Sequence, residues 1–388
     1  MELEKALANL QNAQNQEKKR QKRNLVITLP VGVALGILLI LAENSFLSSY
    51  PSGSLLLFLT LLPTLPLQLV LHEIGHLIFG SYSSYRFVSF RVFSFAIYKK
   101  ENKLRFGRYR VPGTMGQCLM CPTKEDATMP YRALLLGGVF VNGITAVLCF
   151  LLLPILYHNL FWRLFLMGMI LWGILLAALN GIPYQNKTNG IANDGYHVKT
   201  LPHNHAERTC FFNQLRTAAA MTEGKRLSEM PIDWFATPSD PCHHPTSATL
   251  RMGEAERECE LCRFDSAQAM LLALAENGTT LPATQLLAIL TDYLYLEMIT
   301  THRQEIIEPL RVALDHHLKL TRNSFAAIRA EITYHYLFTG DLNKIAALHK
   351  RFNALAKQFP FTGEIARERQ LIALPEAIYR SWSKQPHA

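Results

Sequence analysis

The chain of 388 residues is 49% hydrophobic and only 18% charged, with 39 Lys+Arg against 30 Asp+Glu and a formal net charge of +9. A charged fraction below the roughly one quarter of ordinary soluble domains excludes a disordered chain and a coiled-coil rod, and the length suits two or three domains. The seven Cys are odd in number and sparsely spread, which excludes a disulfide scaffold.

Residues 1–23 are polar and carry six basic and three acidic side chains. No small-x-small cleavage site follows Ala42, so the segment reads as a basic N-terminal segment and not as a signal peptide. A helix needs about 20 residues to cross a bilayer. Uncharged or nearly uncharged apolar runs at about 25–42, 54–80, 133–157 and 164–183 therefore predict four spans. The loop between the second and third spans, residues 81–132, holds ten basic and three acidic residues, while the short loops 43–53 and 158–163 hold none and one basic residue. Positively charged segments stay on the cytoplasmic side, which places both termini and the middle loop there.

Within the middle loop, residues 87–98 are rich in aromatic and β-branched types, 99–103 form a polar turn, and 104–111 alternate with period two. This pattern predicts a β-hairpin at 85–112 beside the membrane, followed by a turn or loop at 113–117. From about residue 199 the pattern is soluble and helical, with apolar residues at helical spacing in 206–227, 265–275, 284–299, 304–320, 324–337, 342–356 and 364–382. Residues 228–254, rich in Pro, Ser, Asp and His, read as a linker. Residues 334–352, with Gly340-Asp341 between two helical patterns, resemble a tetratricopeptide-type helix hairpin without a repeat register. The expected fold class is an all-α membrane protein with a membrane-associated β-hairpin between spans two and three, plus a soluble domain of helix hairpins. Its parts are 1–23, a membrane core at 24–198 and a cytoplasmic helical domain at 199–388.

The chemistry concentrates in His72-Glu73-Ile74-Gly75-His76. Residues four apart share a helix face, so both imidazoles can bind one zinc ion while Glu73 reaches a water on it. Two His and a Glu inside an apolar membrane run are expensive unless they serve a function. Catalytic zinc takes three protein ligands and leaves the fourth position to water. Asp194, in Asn193-Asp194-Gly195 past the fourth span, is the best-placed third ligand, although the same residues also read as a simple Asp-Gly turn.

Three elements together resemble the site-2 protease family of intramembrane zinc metalloproteases. They are the apolar helix carrying His72-Glu73-Ile74-Gly75-His76, the G-x-x-x-N pattern of Gly138 to Asn142, and Asn180-Gly181-Ile182-Pro183 followed by Asp194-Gly195. The resemblance covers about residues 20–200. It implies one catalytic Zn²⁺ on His72, His76 and Asp194, with Glu73 as general base and acid. It also implies a multi-pass protein of a bacterial cell membrane, acting on membrane-anchored proteins or membrane-associated peptides. Asn142 lies where the family carries an amide able to hold the substrate carbonyl or oxyanion; its plainer role is an interhelical hydrogen bond. On the same resemblance Gly116, Gln117, Asn180 and Pro183 are expected to contact substrate. The strand bearing Phe87, Ser89 and Phe90 is expected to pair with an extended substrate segment. The sequence departs from the family in the ten residues 184–193, which separate two signatures that nearly abut elsewhere and which suit a polar loop lining a wet cavity.

Cys242, Cys259 and Cys262, with His243 and His244, offer a second metal-binding spacing, but the C-x-x-C falls on a helical pattern and a second structural zinc is not expected. Residues 184–388 hold 22 basic and 22 acidic side chains, so the basic excess flanks the spans, where it meets anionic lipid headgroups. No nucleic-acid partner is expected. The helical domain suits substrate capture, regulation, a protein partner or self-association. The alternative function is a membrane-embedded zinc-binding, substrate-binding or transport-associated protein without proteolytic activity.

Overall fold

Apolar runs with almost no interior charge become long helices here, and the polar segments between them fold back onto one end of the helix group. The computed structural model describes residues 2–22, 53–100, 103–109, 113–124, 129–237 and 244–382; the expected span at 25–42 lies outside them. Among the described residues three helices are long and apolar enough to cross a membrane. They belong to α2 (Gly53–Tyr82), α3 (Arg132–Leu156) and α4 (Leu160–Gly181), and each packs against the other two. Their outer faces carry exposed Phe58, Ile144, Phe150, Ile155, Phe161, Ile174 and Leu179, an apolar girdle suited to lipid. Two prolines, Pro63 and Pro66, sit within α2, a placement that membrane helices tolerate.

The contact between α2 and α3 is closest at the H-E-x-x-H segment, and small residues make it possible. A side-chain carbon on Gly75 would overlap the backbone of Gly137, and one on Gly138 would come within 2.5–2.7 Å of the His72 ring. The glycines thus bring α3 onto the face of α2 that bears the histidines. Helix α4 ends at Gly181 because Ile182 is extended ahead of Pro183.

The sheet corrects the expected hairpin. Residues 87–98 do not form one strand: Phe93 adopts φ +54° and the chain reverses, giving β1 (Tyr85–Val92) and β2 (Phe95–Lys100). β3 (Lys103–Arg108) pairs with β2, and β4 (Gly116–Pro122), in part read as a loop, pairs antiparallel with the other edge of β1. The order is β3-β2-β1-β4, all antiparallel. The pleat sends alternate side chains to opposite faces. Leu119 and Cys121 of β4 meet Ala219 of α6 (His205–Thr222), while Met120 faces α2 and α3 beside Tyr85, Leu134 and Leu135. The buried Arg91 guanidinium donates to Phe93 O at 2.7 Å and to the Thr114 hydroxyl, which ties the 113–115 loop to the β1–β2 turn.

Beyond α5 (Asp194–Thr200) and α6, the helical domain comprises α7 (Pro245–Glu260), α8 (Phe264–Asn277), α9 (Ala283–Thr300), α10 (Gln304–Leu320), α11 (Phe325–Tyr334), α12 (Leu342–Gln358) and α13 (Thr362–Trp382). The expected linker at 228–254 contains two short 3₁₀ turns and the start of α7. Gly340, left-handed, and Asp341, capping α12, close a helix hairpin between α11 and α12. A buried ion network joins four helices: Arg329 of α11 pairs with Asp292 of α9 and Glu368 of α13, and Arg367 pairs with Glu256 of α7.

Contacts cross the boundaries expected at 23 and 199. Residues 2–22 form a helix, α1, whose Ala6 and Leu10 are buried in the core of the helical domain. At its far end Arg20 donates to Lys187 O at 3.0 Å. Phe212 of α6 shares a core with Tyr85, Met120 and Leu134. Gly138→Leu is expected to overpack the α2–α3 contact at a cost of about 1–3 kcal/mol, measured as a lower thermal midpoint in detergent; an unchanged midpoint would argue against that contact.

Candidate metal centre

Helical spacing places His72 and His76 on one face of α2, with their Nε2 atoms 3.1 Å apart. Asp194 arrives from α5. Asn193 caps that helix, its Oδ1 accepting from Tyr196 N at 2.9 Å, and its Nδ2 donates to Leu179 O and Ile182 O at 2.7 and 2.6 Å. Gly195 presses against the Gly181 carbonyl, where any side chain would overlap it. These contacts seat the start of α5 on the end of α4 and bring Asp194 Oδ2 to 3.4 Å from His72 Nε2 and 3.5 Å from His76 Nε2.

The protons on the imidazoles follow from their other contacts. His76 Nδ1 lies 2.7 Å from Leu134 O, a carbonyl that can only accept, so Nδ1 carries the hydrogen. For His72 the assignment comes through a relay. Gln68 Nε2 donates to Met169 O at 2.8 Å, which turns Gln68 Oε1 towards Asn142; Asn142 Nδ2 donates to Gln68 Oε1 at 2.7 Å and to Gln68 O at 3.0 Å. Asn142 Oδ1 therefore faces His72 Nδ1, 2.6 Å away, and that nitrogen also carries the hydrogen. Both Nε2 lone pairs and a carboxylate oxygen then converge with no donor among them, and such a group needs positive charge at its centre.

A divalent metal ion fits the donor set. Ligand atoms about 2.0–2.1 Å from a tetrahedral ion lie about 3.3–3.4 Å from one another, and the three separations here are 3.1, 3.4 and 3.5 Å. Among the described residues, His72, His76 and Asp194 are the one set of three such side chains with ligand atoms close enough for a shared ion. Cys259 ends α7, buried, and Cys262 is exposed; no third ligand joins them among the described residues, and Cys242 lies outside those residues.

Glu73 is buried beside this centre and accepts a hydrogen bond from the Cys118 backbone N–H. Period two along β4 explains the contact, since Gly116, Cys118 and Met120 share the face towards α2. A side-chain carbon at Gly116 would overlap the Glu73 carboxylate, as one at Gly80 would overlap Met120. Gly116 thus leaves the carboxylate its space. Burial and the nearby Glu73 raise the Cys118 thiol above its ordinary range, so it stays neutral.

A cavity of about 920 Å³ opens from the centre, lined by Glu73, Gly116, Gln117, Asn180 and the 184–194 segment, and continuing to α7 and α9. That segment turns back on itself through a Gln185–Ala192 bridge. Three expectations are corrected. Ser89 and Phe90 lie where β1 is paired on both sides, by β2 and by β4, and have no edge for another strand, while Phe87 pairs with β4 alone; among the described residues the outer edge of β4 has no strand partner. Pro183 is exposed and outside the cavity lining. Asn142 has its amide donors and carbonyl committed to Gln68 and His72, which makes it a positioning residue for His72.

Gln68 and Asn193 were not identified from sequence. Gln68 had a signal, a polar side chain one turn before His72 in an apolar run. Asn193 had the signal of a capping residue before Asp. His197 also lines the cavity, its basicity lowered by burial and partly restored by Asp194 and Glu207.

Asn142→Ala and Gln68→Ala are expected to weaken divalent-metal affinity about 10–100-fold, measured by chelator competition on purified protein. His72→Ala, His76→Ala and Asp194→Ala should abolish stoichiometric binding.

No protein-family model, curated protein or solved structure matches the chain.

Proposed function

We propose that the chain is an intramembrane zinc metalloprotease of the site-2 type, hydrolysing peptide bonds of membrane-anchored or membrane-associated substrates. The observation that carries this reading is the placement of the Glu73 carboxylate beside the His72, His76 and Asp194 donors, inside an apolar helix group and at the end of a cavity. A purely structural metal site is closed by four protein ligands; this one has three and an acid beside it.

A zinc ion on these residues would polarise the scissile carbonyl and lower the pKa of water to about 7. Glu73 is placed to take a proton from water at the centre and to return it to the leaving amine, so the chain itself would supply both the base and the acid. The Gln68–Asn142 relay keeps His72 from turning. Among the described residues the outer edge of β4 has no strand partner, and apart from the Cys118 N–H held by Glu73 its backbone groups are offered to an extended peptide, which must be unfolded locally to pair there. Asn186, Asn189 and Asn193 line the cavity and give water a polar route to the centre.

The sheet, α5 and α6 gather at the end of the helix group where α2 finishes and α3 begins. With the basic residues of 81–132 at the same end, this reading makes it the cytoplasmic side of a multi-pass bacterial membrane protein. Glu73 then lies nine residues from Tyr82, about 14 Å below the end of its helix.

Glu73→Gln is expected to retain the metal and lower the rate of cleavage of a membrane peptide by about 10²–10⁴-fold, measured with purified protein in detergent or vesicles. Gly116→Val should lower the rate with metal content unchanged, because its side chain enters the space of the Glu73 carboxylate. Wild type that holds metal and cleaves no membrane peptide, together with an unaltered Glu73→Gln, would instead favour a metal-binding protein without proteolytic activity.

A further inference from the structure

The cavity at the metal centre is not closed by the membrane core alone. Its near wall is α2, β4 and the end of α4; its far wall is built by the helical domain, from Thr246, Thr249 and Met252 on α7 and Thr284, Gln285 and Ala288 on α9. Thr246, Thr249 and Met252 recur every three residues and Ala288 lies three and four residues beyond Gln285 and Thr284, so one face of each helix is turned to the cavity.

Several contacts hold that wall in place. The tip of the 184–193 segment packs on both helix starts: Gly190, at φ +75°, has Pro245 and Pro282 about 3.1 Å from where a side chain would begin. Thr284 Oγ1 lies 3.4 Å from Thr188 O, and Gln214 Nε2 donates to Thr246 O at 3.0 Å. Gln285 Nε2 joins the two helices by donating to Pro245 O at 3.0 Å and to Thr249 Oγ1 at 3.1 Å.

The chemistry of the lining selects the occupant. Among the described residues that line the cavity, the only Asp, Glu, Lys or Arg side chains are Glu73 and Asp194, both of the centre. The far wall offers methyl groups, a thioether, hydroxyls and one amide. A volume of about 920 Å³ is near the top of the roughly 300–1,000 Å³ range of ligand pockets and accommodates several residues of extended chain. A charged side chain placed against the α7 and α9 residues would lose water and find no counter-charge on them, whereas small uncharged side chains would lose little.

We infer that α7 and α9 form a substrate-recognition wall that receives uncharged side chains of the peptide flanking the scissile bond, with Thr249 and Met252 as specificity-determining residues. This rests on the protease reading for the identity of the ligand as a peptide. It assigns the helical domain a direct part in substrate choice, through contact and not through a distant partner.

The test uses the full chain in detergent with the Glu73→Gln change, so that a bound peptide stays intact. The probes are two fluorescein-labelled single-span peptides that differ only in the ten residues on the cytoplasmic side of the span: one has Ala, Ser, Thr and Val, the other has Asp at two of those positions. The uncharged peptide should bind at least tenfold more tightly. Met252→Trp should weaken it at least tenfold, and Thr249→Lys, at an exposed site that tolerates the change, should narrow or reverse the preference against the Asp peptide. Metal content should be unchanged in both, and Leu342→Lys, on an exposed part of α12, should alter neither affinity. Equal affinity for the two peptides, absence of binding by both, or insensitivity to both α7 substitutions would overturn the wall. Cleavage by the unmodified protein with α7-independent binding would overturn the wall and leave the protease reading standing. α7-dependent binding without any cleavage by the unmodified protein would do the reverse.

Discussion

Three electron-pair donors face one another inside an apolar helix group, and the rest of the core is arranged to hold them so. Two imidazole nitrogens and a carboxylate oxygen, 3.1–3.5 Å apart, repel unless a cation lies between them. Keeping them there takes glycines at the α2–α3 contact, hydrogen bonds from both Nδ1 atoms, and a capped helix start that delivers Asp194. Each of these constrains a different part of the chain. The relay from His72 ends on the backbone of α4, so α2, α3 and α4 are tied together through one chain of polar groups in an otherwise apolar interior. In such surroundings each member must be fully paired, because an unpaired polar group there is costly.

Much of the centre was legible in the sequence because its chemistry is local. His72, Glu73 and His76 fall within five residues, and helical spacing alone puts the two imidazoles together. Asp194 was legible only as a candidate, since 118 positions separate it from His76 and its neighbours alone also read as an Asp-Gly turn; the approach of Gly195 to Gly181 is a tertiary contact that no local pattern carries. The role of Asn142 was read differently from what the geometry gives, because a sequence does not reveal which partners consume an amide. Gln68 settles that question from one helix turn away.

The sheet and the N-terminal segment were less legible for a different reason. Phe93 holds the positive φ of the turn, where Gly or Asn would be expected, and Ser94 alone is a weak mark of a reversal between β1 and β2; the reversal follows from pairing and from the link between Phe93 N and Met115 O at 2.7 Å. Gly116 and Gln117 read as loop because their strand exists only by pairing with β1 and pressing on α2. In α1 the polar composition hides Ala6 and Leu10, four apart and both buried. Tertiary contact overrides local preference in all three.

The neck of the 184–193 segment carries a consequence of its own. Tyr184 N donates to Asn193 Oδ1 at 3.0 Å, and Asn193 N donates to Tyr184 O at 3.0 Å, so the chain leaves and rejoins the membrane core at nearly one point. The contour between Pro183 and Asp194 therefore does not set where the carboxylate sits; the Asn193 side chain, bonded directly to the end of α4, does. Residues 185–192 behave as a closed excursion that can lengthen or shorten without moving the ligand. The excursion from 185 to 192 thus leaves the centre in place, and through Thr188 and Gly190 it provides a surface on which the helical domain rests.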